Sequence, residues 1–531
     1  MGQPQALQIS CAGGLNLVAT TAELFEQPGY ATILKNFESS QNGGYRRING
    51  YTKFGTAQPD SSNEILGIVS YADGVVACVN DGVYFSTDGT TWVQVNTDTW
   101  NSGSGRADPS LYTELPRATQ GRMQAAVYEG NTEYGELLLC DGVNEMAYLK
   151  ITGTGGSRLY YYREIDNATY GAPSAPQWVE VYKDHVLLGG DSTNKETVYW
   201  SDVFDPVTFT GGNSGSNKFT DKIKAIKHWK DRLFVFGQKS IAELVGINST
   251  PSVQSIASNV GCIDGFSMQE VGGDLVFLSV DGIRTLQGTA QIDDVELSAI
   301  SREIDPLVEA LVSSINSYYI SSCVIREKNQ YRLYYTNSGY SDDAQKGIIG
   351  TYKLSPQGVR WEWSEVEGIP LSCCSSTINS SLEKVYHGGY DGYVYNHDTG
   401  DDFNGIAITS TYQSPEINYG SLAVRKTPHW LKLSAEVEGV VENLKLRLRY
   451  NFEDTASTHQ PLDFTVDAST GLSLYGTAIY NTATYAGVTD LERRILVNGA
   501  GYSNKFMFYN LGDAPFSIQS YLVLYYEGGI Q

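Results

Sequence analysis

The sequence predicts an all-β protein: a β-propeller of six or seven blades with an N-terminal arm and a C-terminal β-sandwich. Three observations predict this fold class. A β-hairpin unit recurs along the chain, Tyr and Gly are abundant, and strands of alternating polarity replace the hairpin units after about residue 405. Sheets that recur at a regular spacing are typical of propellers, in which each unit forms one blade.

The recurring unit is an apolar run, a turn pair such as Asp-Gly, and a second apolar run, which is the pattern of a β-hairpin. Successive units lie ~40–60 residues apart, a period typical of propeller blades. Such sheets cannot bury their faces alone, so an array of them is expected to close into a ring. The units are Val75–Phe85, Glu136–Tyr148, His185–Trp200, Arg232–Leu244, Asp274–Leu286, Gln330–Tyr352 and Glu383–Tyr395.

The composition supports many strands joined by tight turns. The chain of 531 residues holds 37 Tyr and 55 Gly but only 5 Met, and aromatic residues and glycine favour strands and turns respectively. A chain of this length buries a large core without disulfides or metals. Its seven cysteines form no C-x-x-C pair and are expected to be small buried hydrophobes in a reducing compartment.

The charge balance constrains the partners. The chain has 37 Lys+Arg against 60 Asp+Glu, a formal net charge of −23, and so repels nucleic acid as a whole. This argues against a conventional DNA-binding protein but not against a wall past which DNA slides. No stretch reaches the ~18 apolar residues of a membrane helix, and residues 1–20 lack the features of a signal peptide. We therefore expect the protein to be made and folded in a cytoplasm.

Residues 1–60 are predicted to be an N-terminal arm and ring-closing segment, with a short apolar element at Ala31–Phe37. Such an arm pairs either with the last strand of a ring or with a neighbouring subunit, and the sequence leaves both open. Residues 61–404 are predicted to be the propeller. Its nearly continuous apolar runs, of which Asp274–Leu286 is the clearest, are typical of strands covered on both faces.

One helix is predicted between two blades. Asp305 is expected to cap its N-terminus, with Pro306 in the first turn. Ile304, Leu307 and Leu311 are expected to share one face of this helix.

Residues 405–531 are predicted to be a separate β-sandwich. Trp430–Glu438 and Leu444–Tyr450 alternate between apolar and polar residues, which indicates antiparallel strands with one solvated face. Ser517–Tyr526 is predicted to be a further strand of this domain.

Three groups of residues are candidates for a site. Ser86–Trp92 resembles the Asp-box turn of sialidase-type propellers, one residue short between Gly and Trp, and is expected to be a folding element. Asp398, Asp401 and Asp402 share a loop, but their spacing lacks the pattern of a calcium loop. The six histidines are too dispersed for a local metal motif, and His387 and His397, which flank one hairpin, are expected to be core residues. The histidines are His185, His228, His387, His397, His429 and His459.

One stretch is densely basic and has two interpretations. It either forms the solvated side of a blade strand or contacts an acidic neighbouring subunit, where charge steers assembly. The stretch consists of Lys222, Lys224, Lys227, Lys230 and Arg232.

The chain has no P-loop, dinucleotide fingerprint, G-x-S-x-G or H-E-x-x-H motif. We therefore predict no catalytic, cofactor-binding or metal-binding residue, no cofactor, and no enzyme activity. Paired carboxylates for glycoside hydrolysis stay open, because a propeller brings distant residues together.

Several segments together resemble the tail nozzle, or packaged-DNA stabilisation (tail hub), proteins of short-tailed bacteriophages. The resemblance touches most of the chain through short motifs that are specific as a set rather than singly. The segments are Gly13–Leu17, Pro28–Phe37, Gly43–Tyr51, Gly261–Ser267, Asp274–Arg284 and Ser410–Pro415.

The resemblance implies a virion structural protein that forms a ring, usually of six copies, below the portal and its adaptor. The ring would retain the packaged genome and conduct it at ejection without binding it specifically. Its partners would be portal, adaptor, tail-fibre or other tail proteins, and it would be located in the virion tail after assembly in the host cytoplasm. It would not insert into a membrane. A closed ring needs head-to-tail contacts between different patches of each copy.

Two alternatives accompany this hypothesis. Related scaffolds also serve as other neck or collar components. A receptor-binding or glycan-degrading propeller protein of the virion is a further possibility, since the aromatic residues provide surfaces for sugar stacking. A cellular scaffold propeller is disfavoured, because the repeats lack the Trp-Asp and kelch signatures.

Overall fold

The computed structural model of the protein describes residues 3–41, 43–60, 64–80, 82–96, 121–129, 134–291, 299–337, 345–355, 358–379, 382–437, 444–453, 460–466, 489–512 and 514–528. The fold is all-β. Asp81, Glu438, His459 and residues 338–344 of the predicted hairpin Gln330–Tyr352 lie outside the described residues.

Between residues 67 and 397, the described strands form seven small antiparallel sheets in chain order, which we number sheet 1 to sheet 7. Sheet 1 contains Gly67–Tyr71, Gly74–Cys78, Val83–Ser86 and Val93–Gln94; sheet 2 contains Gln124–Tyr128, Glu136–Cys140, Met146–Thr152 and Leu159–Ile165. Sheet 3 contains Trp178–Tyr182, His185–Gly189, Thr197–Trp200 and Gly215–Lys218; sheet 4 contains Ile223–Trp229, Arg232–Gly237, Ser240–Val245 and Ser252–Ser258. Sheet 5 contains Gln269–Val271, Asp274–Ser279 and Gly282–Thr285; sheet 6 contains Tyr318–Ile325, Gln330–Asn337, Lys346–Ser355 and Gly358–Glu367. Sheet 7 contains Leu371–Asn379, Leu382–Gly389, Val394–His397 and, from the N-terminal arm, Tyr51–Lys53.

Each of the seven predicted hairpins is confirmed as an antiparallel strand pair within its own sheet. The continuous apolar runs are explained by burial on both faces of a sheet. In sheet 2, Leu137 and Leu139 pack toward sheet 1, whereas Leu138 between them packs toward sheet 3. Alternate side chains of a strand point to opposite faces, so a strand buried on both faces reads as unbroken apolar sequence.

Apolar clusters join each sheet to the next. They connect sheets 1 and 2, 2 and 3, 3 and 4, 4 and 5, 5 and 6, and 6 and 7. A seventh cluster joins sheet 7 back to sheet 1 and includes Val75 and Ala77 of sheet 1 with Tyr386 and Val394 of sheet 7. Sheet 1 therefore packs against both sheet 2 and sheet 7.

The N-terminal arm pairs with later parts of the same chain. Tyr51–Lys53 lies antiparallel to Val394–His397 at the edge of sheet 7. Pro4–Ser10 lies antiparallel to Phe516–Glu527. Of the two interpretations that the sequence left open, the structure shows pairing with the last sheet. The division of the chain at residues 60 and 404 stays a prediction.

The C-terminal residues extend sheet 6 and contribute to one further sheet. The extension makes sheet 6 part of a nine-stranded sheet and consists of Ile33–Lys35, Ser410–Gln413, Asn504–Asn510, Lys445–Tyr450 and Phe464–Thr465. The further sheet, sheet 8, consists of Phe37–Ser39, Tyr45–Arg47, Phe516–Glu527, Lys426–Val437 and Thr489–Leu496, with Pro4–Ser10 on Phe516–Glu527. The three predicted C-terminal strands are therefore present. Leu431 and Leu433 of sheet 8 share one apolar cluster with Leu446 and Phe508 of the extension.

The predicted helix is present, but its cap is not as predicted. It spans Asp305–Ser313 and buries Val308 and Leu311. Asp305 lies inside the first turn and makes no capping hydrogen bond; Ile304 occupies the cap position. A carboxylate in the first turn stabilises a helix through the helix dipole instead. The sequence analysis missed three short helices, Thr21–Glu26, Asn167–Tyr170 and Leu286–Gln291.

The helix Thr21–Glu26 could have been predicted from the sequence. Thr20 and Glu23 form a reciprocal capping box, and the pattern Thr-x-x-Glu is its sequence signature. Single 3-10 turns occur at Gly155–Ser157, Gly265–Ser267, Arg302–Ile304, Ile315–Ser317 and Arg326–Lys328.

None of the seven cysteines forms a disulfide, and six of them are buried, as predicted. In the described part of the chain, no helix has the length and apolar character that crossing a membrane requires.

Candidate functional site

A small cavity of about 180 Å³ lies where the first strands of all seven sheets meet. Since a water molecule takes up about 30 Å³ of liquid, the space admits waters and small ions but not duplex DNA. Its described lining includes no Asp or Glu, so a carboxylate pair for glycoside hydrolysis is not located here. Each first strand contributes at least one residue to the cavity wall, in sheet order Ile68, Gln124, Val179, Lys227, Gln269, Ser322 and Ser375.

A buried ionic cluster joins the N-terminal arm to sheets 6 and 7. The Arg332 guanidinium is fully buried and donates to Glu38 Oε2 and Asp398 Oδ1, each at 2.9 Å. Lys328 Nζ also donates to Glu38, at 2.8 Å. The pKa of Asp398 falls to about 2, because Arg332 and Lys328 outweigh the opposing effect of burial. Such a cluster is stable only while every charge keeps its partner.

His387 and His397 converge beside this cluster and are buried, as predicted. Their Nδ1 atoms lie 3.2 Å apart, and the Tyr334 hydroxyl lies 2.8 Å from His397 Nε2. Burial lowers the pKa of His397 to about 3 and that of His387 well below its usual value. Both rings are therefore neutral at physiological pH and belong to the core.

The Asp-box-like turn is a folding element. Ser86 Oγ accepts from the Gly89 amide at 2.9 Å, and Asp88 Oδ1 accepts from the Thr90 amide at 2.8 Å. Trp92 Nε1 donates to the Ala57 carbonyl at 3.2 Å. The turn thus connects sheet 1 to the N-terminal arm.

The basic stretch divides between internal ion pairs and solvent. Lys227 Nζ lies 2.8 Å from Glu180, and Arg232 lies 2.5 Å from Glu243. Lys222 and Lys230 are exposed. Two of the five basic residues, Lys227 and Arg232, thus form ion pairs within the chain. Both interpretations of the stretch stay predictions.

The Asp398 loop does not gather cation ligands. Asp398 is paired with Arg332 and Lys328, and Asp402 accepts from the Gly405 amide at 2.8 Å. Within the described ranges, no group of three or more His, Cys, Asp or Glu side chains is placed to hold a metal ion.

A second cavity, lined by charged and aromatic side chains, was not predicted from the sequence. It measures about 580 Å³ and lies between the N-terminal helix Thr21–Glu26, residues 300–303 and the outer strand of sheet 6. Arg360 Nη2 donates to the Tyr30 hydroxyl at 2.5 Å, and this hydroxyl donates to Glu303 Oε1 at 3.1 Å. Glu303 Oε2 has no hydrogen-bond partner among the residues that the structure describes. No local motif marks these three residues, since Tyr30 is 273 residues from Glu303 and 330 residues from Arg360 in the sequence.

Burial raises the pKa of Glu303 to about 7, against smaller opposing effects of Arg360 and the Tyr30 hydroxyl. The folded state therefore holds a proton on Glu303 that the unfolded state releases above its ordinary pKa of 4.5. The contribution of Glu303 to the stability of the folded chain is therefore full below pH 4.5 and is lost as the pH rises from 4.5 through about 7.

Replacing Glu303 by glutamine is expected to raise the free energy of unfolding by about 2 kcal/mol at pH 8 and to change it little at pH 4. The neutral amide keeps the shape of the carboxyl and removes the cost of a buried charge. Urea unfolding of both proteins across pH 4–8 measures the difference. Glu26→Gln, at an exposed residue of the neighbouring helix, is the control for the amide substitution itself. An equal gain at both pH values would contradict the assignment.

Comparisons with known proteins identify no family. No protein-family model matches the chain, and no curated protein matches its sequence. One similar solved structure is the extracellular domain of a hybrid two-component system from B. thetaiotaomicron, at 10% identity and a TM-score of 0.37, covering 66% of this chain and 40% of that chain.

Two further solved structures are similar at the same level. The AfRom2 CNH domain is 11% identical with a TM-score of 0.35, covering 66% of this chain and 99% of that one. Hsv2 from Kluyveromyces lactis is 10% identical with a TM-score of 0.30, covering 58% and 99%. All three TM-scores are below 0.5, and these similarities support no conclusion about fold or function.

Proposed function

We propose that this chain is a structural subunit of a ring in the tail of a short-tailed bacteriophage, a nozzle or hub that retains packaged DNA and conducts it at ejection. One observation carries the proposal: the N-terminal segments that resemble this family are those that join the arm to the rest of the chain. Gly13–Leu17 contacts sheet 6, Pro28–Phe37 supplies the strand that extends sheet 6, and Gly43–Tyr51 reaches sheets 7 and 8.

Two glycines of these segments lie where backbones touch. A Cβ atom on Gly14, whose φ is +77°, would lie 2.6 Å from the Trp363 amide nitrogen. A Cβ atom on Gly50 would lie 1.7 Å from the Asp402 carbonyl oxygen. Only glycine permits such close approach. The motifs that carry the resemblance therefore have a mechanical role, which suits a subunit that must withstand the pressure of a packaged genome.

The seven small sheets form, in this proposal, a seven-bladed β-propeller, and sheet 8 with the extension of sheet 6 forms a C-terminal sandwich. Three features support the propeller: the cyclic succession of apolar clusters, the cavity at which seven first strands meet, and the closing of sheet 7 by Tyr51–Lys53. Pairing of the first and last segments in one sheet closes a ring of sheets and protects its edges.

DNA would pass through a ring of several copies rather than through one chain, since the central cavity of about 180 Å³ cannot admit a duplex. The net charge of −23 makes such a wall repel phosphates, so that DNA moves without specific binding. We propose six copies, docked below the portal and adaptor and contacted by tail fibres or other tail proteins. A neck or collar position is the alternative placement of the same ring.

The oligomeric state tests the proposal. Purified protein at micromolar concentration, in 150 mM salt, is expected to give the mass of a closed cyclic oligomer in mass photometry and ring-shaped particles in negative-stain images. Duplex DNA added at the same salt concentration is expected to stay unbound. A folded protein that stays monomeric over the whole accessible concentration range would overturn the proposal. Depolymerisation of a host polysaccharide by the purified protein would favour the glycan-degrading alternative instead.

A further inference from the structure

A loop of sheet 3 presents one large aromatic side chain to solvent. Phe204 is 74% exposed, and its backbone is left-handed, with φ at +59°. This conformation is unusual for a bulky residue and is strained. Contacts between the exposed aromatic side chain and a partner would offset that strain.

The loop around Phe204 is held by hydrogen bonds at both ends. The Phe204 amide donates to the Asp184 carbonyl at 3.1 Å, and the Asp202 amide donates to the Thr208 carbonyl at 2.7 Å. Asp205 Oδ1 accepts from the amides of Val207 and Thr208 at 3.1 and 3.3 Å. An aromatic side chain on a fixed loop loses little entropy on binding, which is the property of an interface anchor.

The cavity beside Glu303 has an apolar rim. Large apolar side chains surround its mouth: Val18 is 50% exposed and Val359 is 55% exposed. Leu354, directly opposite Val359 on the neighbouring strand, is 80% exposed. Trp361 forms part of the wall. Apolar surface concentrated around a cavity of about 580 Å³ marks a binding site.

The loop is acidic, and the cavity presents an exposed arginine beside the carboxyl groups of Glu23 and Glu303. Phe204 lies between Asp202 and Asp205, and Asp184 beside it is exposed. Arg302 at the cavity is exposed and has no ion pair within the part of the chain that the structure describes. Two copies that each carry −23 charges repel one another, so their contact needs a cation at the point of approach.

The loop and the cavity belong to different regions of the chain. Along the succession of packed sheets, sheet 3 is three steps from sheet 6 through sheets 4 and 5, and four steps through sheets 2, 1 and 7. No two of the seven sheets are further apart in this order. Contacts between two different patches are head-to-tail contacts, the kind from which a closed cyclic ring is built.

From these observations we infer that the Phe204 loop of one copy inserts into the cavity at Val18, Glu303 and Val359 of a second copy of this chain. The inference rests on the proposed ring and specifies its subunit contact. Phe204 fills the apolar part of the cavity, and the carboxylates beside it lie near Arg302.

Substitutions on each side of the contact test it. Phe204→Asn removes the aromatic side chain and introduces a residue that tolerates the left-handed backbone. Val359→Arg places a charge in the apolar rim of the cavity. Each is expected to raise at least tenfold the protein concentration at which half of the copies are in rings, as measured by mass photometry. Each monomer should keep the circular dichroism spectrum of the wild type. Ile406→Ala, at another exposed apolar residue (68% exposed), is the control and should leave the ring unchanged.

Cross-linking tests the pairing directly. An equimolar mixture of the single variants Phe204→Cys and Val359→Cys, oxidised with copper phenanthroline, is expected to give disulfide-linked dimers that contain one copy of each. Either variant oxidised alone should stay free of disulfide-linked dimers. Rings that persist in Phe204→Asn and Val359→Arg, without cross-linked dimers in the mixture, would overturn this contact and leave the proposed ring intact. A folded wild-type protein that never forms rings would overturn both.

Discussion

Replacing Arg332 by methionine is expected to lower the free energy of unfolding by about 3–5 kcal/mol, the effect of breaking a buried ion pair from one side. Methionine retains most of the apolar volume but leaves the Glu38 and Asp398 carboxylates, 3% and 9% exposed, with only one of the two cations that they share. Lys328 is the only described cation that still contacts both. The midpoint of urea unfolding, followed by tryptophan fluorescence, measures the loss.

Two variants make this prediction specific. Lys218→Met removes an exposed ion pair, in which Lys218 Nζ lies 3.1 Å from Glu196, and should cost less than about 1 kcal/mol. Neutralising both carboxylates in the Arg332→Met background, by Glu38→Gln and Asp398→Asn, should recover part of the loss, because the two buried carboxyl groups then carry no charge and the Lys328 ammonium, whose side chain is 23% exposed, keeps access to water. An Arg332→Met protein within 1 kcal/mol of the wild type would show that the cluster does not join the arm to sheets 6 and 7.

Replacing Trp363 by alanine is expected to cost about 3–5 kcal/mol. Its side chain is 1% exposed and stacks on Trp361 with ring centroids 5.6 Å apart. Its Nε1 donates to the Ile300 carbonyl at 3.0 Å. The substitution opens a cavity and leaves this carbonyl without its donor, and both effects destabilise the folded chain.

The control for Trp363 is Trp430→Ala in sheet 8. Trp430 is half-buried, and the Arg494 guanidinium carbon lies 4.7 Å from its ring centroid. A half-buried ring loses less area and leaves no enclosed cavity, so about 1–2 kcal/mol is expected. Trp363→Phe should fall between the wild type and Trp363→Ala, because it restores apolar volume without the indole donor. Equal losses at Trp363 and Trp430 would contradict the role assigned to Trp363 as the core residue between arm and sheet 6.

The features that could be predicted from the sequence are local. The hairpin Asp274–Leu286 is readable because its apolar runs and its Asp281-Gly282 turn lie within thirteen residues. The free thiols and the strand Lys426–Val437, which alternates between buried and exposed positions, are readable for the same reason. The misassigned cap at Asp305 shows the limit of such reading: Asp305 has helical backbone angles and lies in the first turn, and Ile304, which has no capping side chain, occupies the cap position.

The candidate site depended on distant contacts. Tyr30 meets Glu303 and Arg360 only in the folded chain, and none of the three stands in a recognisable motif. The raised pKa of Glu303 follows from burial, which spacing does not report. His387 and His397 were the exception, because the short hairpin between them already places them on neighbouring strands.

The amino-acid sequence by itself determined the all-β class, the seven hairpins and the acidic character of the chain, since each depends on composition or on neighbours within a few residues. Tertiary structure alone decided that Tyr51–Lys53 completes sheet 7, that Pro4–Ser10 lies beside Phe516–Glu527, and that Arg332 is enclosed by two carboxylates. The physical reason is that the exposed edge of any strand offers the same backbone donors and acceptors to every partner. The choice among partners hundreds of residues apart is made by side-chain packing across the whole fold.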